Sequence, residues 1–85
     1  MKEIEFSLTD PLGLHMRPAA AFARLAHDYK SRIQIVKSTG ETADARSMLM
    51  TVRMGIRQGE VFRIRLEGED ESAMADCLEK MRGEL

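Results

Sequence analysis

Tryptophan is absent from this chain, and one Tyr, one Cys and two Pro are all it has of three other residue types among its 85 residues. A single cysteine, Cys77, excludes an internal disulfide, so the fold rests on its apolar core and suits a reducing compartment. One cysteine with two distant histidines, His15 and His27, falls short of a metal-binding set, and no metal or cofactor is expected. No pair of carboxylates stands beside a plausible nucleophile, which leaves hydrolase chemistry without its parts. A glycine-rich nucleotide loop of the Walker or dinucleotide type is missing too. No apolar run approaches membrane-spanning length, and the start lacks a signal-peptide pattern, so a cytoplasmic location is the expectation. The formal net charge is only −1, which points neither to nucleic acid nor to an acidic membrane surface.

What is present is an ordinary globular composition, 44% hydrophobic and 32% charged, in a length that suits one small domain over residues 1–85 with one core. Linkers, internal repeats and low-complexity segments are not found. Methionine is over-represented, with seven Met against three Phe. It packs adaptably, either in a core or on a surface that meets several partners.

From Lys2 to Thr9 the residues alternate, with Ile4, Phe6 and Leu8 on one face and Glu3, Glu5 and Ser7 on the other. That is the pattern of a half-buried strand, stopped by Asp10-Pro11. From Met16 or Arg17 to about Tyr29 the alanines favour helix, and Phe22, Leu25, Ala26 and Tyr29 fall on one face. Arg32 to Lys37 reads as a second strand with Ile33 and Ile35 inward. A turn at residues 38–41 leads to a short third strand, Thr42 to Ala45. Ser47 then suits an N-cap and Gly55 a C-cap, which predicts a short helix between them. It carries more large apolar residues than one face can bury, so some of Met48, Leu49, Met50 and Val52 should be exposed. Val61 to Leu66 is a final strand, ended by Gly68. Asp70 starts a last helix whose stripe is Met74, Cys77, Leu78 and Met81, which makes Cys77 a core thiol. The order is β-α-β-β-α-β-α, an α+β arrangement with one sheet face covered by helices and the other solvated.

The stretch Leu12-Gly13-Leu14-His15-Met16-Arg17-Pro18 joins the first strand to the first helix. Gly13 permits an unusual turn, and Pro18 fits a first helical turn. A helix start has unpaired N–H groups and partial positive charge, so it attracts anions. His15 with Arg17 places a nucleophile beside an anion cradle, suited to a phosphoryl group attached to His15. His27 falls on a polar helix side and reads as solvated, not catalytic.

The order Gly-Leu-His-x-Arg-Pro-Ala-Ala on a strand-to-helix junction resembles the active-site motif of HPr, the histidine phosphocarrier family of the bacterial sugar phosphotransferase system. The resemblance extends over essentially the whole chain. Met16 departs from the family pattern, which usually has a small residue there. The resemblance implies an open-faced sandwich, a four-stranded antiparallel sheet covered on one face by three helices. It implies a carrier, not an enzyme: His15 accepts a phosphoryl group at Nδ1 from phosphorylated enzyme I, steadied by Arg17. The group then passes to the A domains of sugar-specific enzyme II permeases. It further implies that Ser47, preceded by Arg46, matches a serine phosphorylated in some bacteria by an ATP-dependent kinase, with a phosphorylase and transcriptional regulators as further partners. Met50 departs from the small or basic residue usual at its place.

The expected docking surface combines Met48, Leu49 and Val52 with a basic rim of Arg17, Arg24, His27, Arg46 and Arg53, suited to acidic partners with an apolar centre. The protein is expected to be a monomer. Two alternatives stay open: a carrier in a regulatory, nitrogen-type branch without sugar transport, and a purely regulatory binding module on the same surface.

Overall fold

The structure is a computed structural model that describes residues 1–84. Its elements are β1 (Lys2–Ser7), α1 (Met16–Asp28), β2 (Arg32–Lys37), β3 (Thr42–Asp44), α2 (Met48–Arg53), β4 (Val61–Glu67) and α3 (Glu71–Met81), then a 3-10 turn, Arg82–Glu84. The strands form one antiparallel sheet in the order β1-β4-β2-β3. The α+β order expected from the alternating and helical patterns is the order found.

Register explains the core. Ile4 lies opposite Ile64, Ile64 opposite Ile35, and Ile35 opposite Ala43, so one apolar row crosses all four strands on the helix side. Phe6 faces Phe62 in the next row, with ring centroids 5.7 Å apart. Phe22, Leu25 and Ala26 of α1 and Met74 and Leu78 of α3 close over these rows. The opposite face is largely polar. There the Glu3 carboxylate accepts from Arg63 at 3.1 Å and from Arg65 at 3.2 Å. Val36 lies on that face yet is buried, in a shallow hollow it shares with Glu5, Ser38, Val61 and Arg63.

Several boundaries differ from those read in the sequence. β1 ends at Ser7, not Thr9, because Leu8 leaves the ladder for the turn before β4: Leu8 N–H donates to Glu60 O and Gly59 N–H to Leu8 O. β3 ends at Asp44, although Ala45 N–H still donates to Ile33 O. Cys77 is only half-buried. It lies at the rim of the core with its sulfur 2.9 Å from the Tyr29 hydroxyl, and that contact, followed by burial, pushes the Tyr29 hydroxyl pKa up. Asp70 does stand at the start of α3, but its side chain caps another place. It accepts from Lys30 N–H and Ser31 N–H, each at 2.8 Å, and from the Ser31 hydroxyl. Gly68 makes room for this junction, since a Cβ there would lie 2.6 Å from Ser31 Cα.

Candidate functional site

The loop between β1 and α1 is held by its own backbone and by the segment before β4. Gly13 N–H donates to Asp10 O, and Leu14 N–H donates to Ile56 O, both at 2.9 Å. Gly13 has φ +71°, and a Cβ there would lie 2.7 Å from Ile56 O. No residue with a side chain fits both demands. The Gln58 side-chain amide donates to Thr9 O at 3.1 Å. The loop is therefore a fixed frame that delivers His15 to the start of α1.

His15 is the N-cap of that helix, with extended backbone angles. Its Nδ1 accepts from Arg17 N–H at 3.4 Å, one of the donors that a helix start leaves unpaired. Its Nε2 lies 3.0 Å from Asp10 Oδ2. The other oxygen, Oδ1, accepts from Leu12 N–H at 2.9 Å. The Leu12 amide and then the His15 ring hold the Asp10 carboxyl below the usual carboxylate range, and the Arg17 charge adds to the effect. Arg17 is exposed, while Pro18 and Ala19 behind it are buried and anchor the helix.

Asp10 was not among the site residues read from the sequence, where it served only to end a strand. The signal was its place five residues before the histidine, across a Pro-x-Gly turn that folds the chain back. Leu12 was not singled out in the sequence, and Met16 only as a departure from the family pattern. They stand close to His15 in the chain and are 75% and 54% exposed.

Ser47 caps α2: its Oγ accepts from Met50 N–H at 3.2 Å. Lys37 Nζ donates to Met54 O at 3.0 Å and steadies the other end. Leu49 and Met50 are exposed, at 65% and 46%, while Met48 and Val52 are half-buried. Helix α2 packs against α1. The basic residues line several surface hollows. Arg17 and Arg24 line one with Ala20, Ala21, Asp28 and Met81. His27 and Arg46 line a second with Ala23 and Ala26. Arg53 lines a third with Met50 and Met54. Among the described residues, no group of His, Cys, Asp or Glu could hold a metal ion, and no helix is long and apolar enough to cross a membrane.

An open-faced sandwich that holds a histidine at the tip of its first helix is the architecture of a phosphocarrier. The family described as "PTS HPr component phosphorylation site" matches residues 2–82, and the chain belongs to the HPr family of the phosphotransferase system, whose members are phosphocarriers and not enzymes. It is 32% identical over 78 residues to the phosphocarrier protein HPr of Mycoplasma pneumoniae, covering 92% of this chain and 89% of that protein. It resembles the crystal structure of HPr-C-His from Thermoanaerobacter tengcongensis with a TM-score of 0.85 at 31% identity, over 98% of this chain and 92% of that one. A multiphosphoryl transfer protein of Xanthomonas campestris contains a similar stretch, 30% identical over 84 residues; the match covers 99% of this chain and 10% of that protein.

Proposed function

We propose that His15 is the phosphoryl acceptor and that Arg17 steadies the transferred group. The observation that carries this reading is the placement of His15 Nδ1 against the Arg17 amide at the start of α1. The Nδ1 lone pair forms the N–P bond while the bond from phosphorus to the donor breaks, its electron pair returning to the donor. The phosphoryl oxygens then meet the N-terminal N–H groups of α1, with the Arg17 guanidinium as a paired donor. Enzyme I is the donor and the A domains of enzyme II permeases are the recipients, in keeping with the family. A relative in which a similar stretch forms part of a multiphosphoryl transfer chain supports a place beside other phosphoryl-transfer units.

The docking surface is formed by Leu12 and Met16 around His15 and by Met48, Leu49 and Val52 on α2, with Arg24, His27, Arg46 and Arg53 about them. Exposed apolar residues amid basic ones suit an acidic partner with an apolar centre. Ser47 is a regulatory phosphorylation site for a serine kinase, a reading supported by its match to the serine phosphorylated in some members of the family, with Arg46 before it; its hydroxyl opens the helix that carries Leu49.

The test is incubation with enzyme I and phosphoenolpyruvate. The expected product is an acid-labile, base-stable phosphoryl adduct, absent from His15→Ala. An undiminished adduct in that variant overturns the assignment.

A further inference from the structure

We propose that Asp10 is a positioning residue for phosphoryl transfer: its carboxylate keeps the His15 ring proton on Nε2, so that Nδ1 carries the lone pair that bonds to phosphorus. The inference rests on His15 accepting the group at Nδ1.

Two contacts on opposite sides of the ring demand the same tautomer. An ionised carboxylate can only accept, so the Nε2 that lies 3.0 Å from Asp10 Oδ2 carries the hydrogen. An amide N–H can only donate, so the Nδ1 that faces Arg17 N–H carries the lone pair. With a neutral imidazole, one nitrogen donates and the other accepts, and this ring satisfies both neighbours in one way only.

The carboxylate owes its orientation to the loop and not to the histidine. Its Oδ1 accepts from Leu12 N–H, and its backbone carbonyl accepts from Gly13 N–H. The loop in turn is tied to Ile56 through Leu14 N–H. The His15 and Asp10 side chains are 26% and 30% exposed, so the contact is partly sheltered from water.

The same contact serves the product. When the Nδ1 lone pair bonds to phosphorus and Nε2 keeps its hydrogen, the ring acquires a positive charge. Asp10 is the negative group against that ring, and Arg17 is the positive group near it. The carboxylate therefore offsets charge that the transfer step creates, without any proton leaving Nε2. On onward transfer the Nδ1–P bond breaks, its electron pair returns to Nδ1, and the neutral Nε2–H tautomer is restored.

The experiment pairs nitrogen NMR of the neutral His15 ring, in 15N-labelled protein, with the initial rate of phosphorylation by enzyme I and phosphoenolpyruvate. Asp10→Asn is the informative variant. Its amide oxygen keeps the bond to Leu12 N–H, so the turn persists, and its NH2 group takes the place of Oδ2. A donor then faces Nε2, and the ring has to move its hydrogen to Nδ1. The expected result is a reversed pattern of proton-bearing and lone-pair nitrogens, with a rate about tenfold lower or more, the scale on which partners that orient a histidine act. Circular dichroism stays that of the wild type. Asp10→Ala is expected to give a mixture of tautomers and a smaller loss. A merely structural role for Asp10 predicts no tautomer change in Asp10→Asn, because the turn is intact. A wild-type rate or a wild-type tautomer in Asp10→Asn overturns the proposal. Should that variant lose the fold, a single Nε2–H tautomer with an undiminished rate in Asp10→Ala overturns it equally. His15→Ala separates the two readings. If it still takes up phosphate, the acceptor assignment falls; if it does not and Asp10→Asn behaves as wild type, only the role of Asp10 falls.

Discussion

The carboxylate of Asp70, at the start of α3, accepts hydrogen bonds from both the amide and the hydroxyl of Ser31, just before β2. Ser31 is 1% exposed, so its hydroxyl depends on this partner. Residues thirty-nine positions apart thereby fasten the end of the first helical connection to the beginning of the last helix.

Asp70→Ala should lower the melting temperature by roughly 5–10 °C, since it strands a buried hydroxyl and two amides in a domain of this size. The pH dependence has a definite sign. The Ser31 hydroxyl, followed by the Lys30 amide, holds the Asp70 carboxyl below its ordinary value of 3.8. A carboxyl that is lower in the folded state contributes stability above its unfolded value and loses it as pH falls toward the folded one. Wild type should therefore lose stability below about pH 4 more steeply than Asp70→Ala, in melts run across that range. Parallel profiles would show that this carboxylate is not responsible.

Gly13→Ala combines a left-handed backbone angle with a clash against Ile56 O. We expect destabilisation of about 1–3 kcal/mol, together with a slower phosphorylation of His15, because the loop that delivers the ring has to shift. Denaturant unfolding and transfer rates, measured on the same sample, check both halves. The control is Gly40→Ala, where a Cβ meets nothing within 4 Å and where transfer should be unaffected.

Arg17→Ala should slow phosphoryl transfer in both directions while leaving stability within about 0.5 kcal/mol of wild type, as exposed substitutions generally do. The measurement is forward and reverse transfer with enzyme I. Arg17→Lys should recover only part of the rate, because an ammonium cannot offer the paired donors of a guanidinium.

Leu49→Ser tests the apolar centre of the docking surface. The side chain is 65% exposed, so its loss should barely move the melting temperature, while the concentration of enzyme I needed for half-maximal rate rises several-fold. Equal dependence on enzyme I in both proteins would remove α2 from the interface.

Phosphorylation of Ser47 adds roughly −1.5 to −2 charges at the N-terminus of α2. That charge is favourable to the helix and unfavourable to an acidic, apolar-centred partner. Ser47→Asp should keep the cap and the fold yet slow His15 phosphorylation in part, since it carries less charge than a phosphate. Ser47→Ala should transfer normally but lose about 1 kcal/mol of stability with its cap. An Asp variant that transfers like wild type leaves Ser47 as a helix cap alone.

Much of this molecule was written in short-range pattern. Alternation placed Ile4, Phe6, Phe62, Ile64 and Leu66 inward, as they are, because successive strand residues must face opposite ways. The Ser47 cap and the exposed apolar residues of α2 followed from spacing within one short segment. The residues His15, Arg17 and Pro18 were legible as a helix start for the same reason. Local geometry is set by neighbours a few positions apart, and the sequence displays those directly.

What tertiary structure decided are the pairings between distant residues. Strand order β1-β4-β2-β3 is legible in no local pattern of the sequence. Asp10 read as a strand breaker, and only the turn at Gly13, pinned from outside by Ile56, swings its carboxylate onto His15. Asp70 read as the start of the last helix, as it is, yet its carboxylate reaches Lys30 and Ser31 across the fold. In each case the partner lies on another element, so the contact depends on how the sheet and helices close upon one another, a three-dimensional fact that no local period encodes.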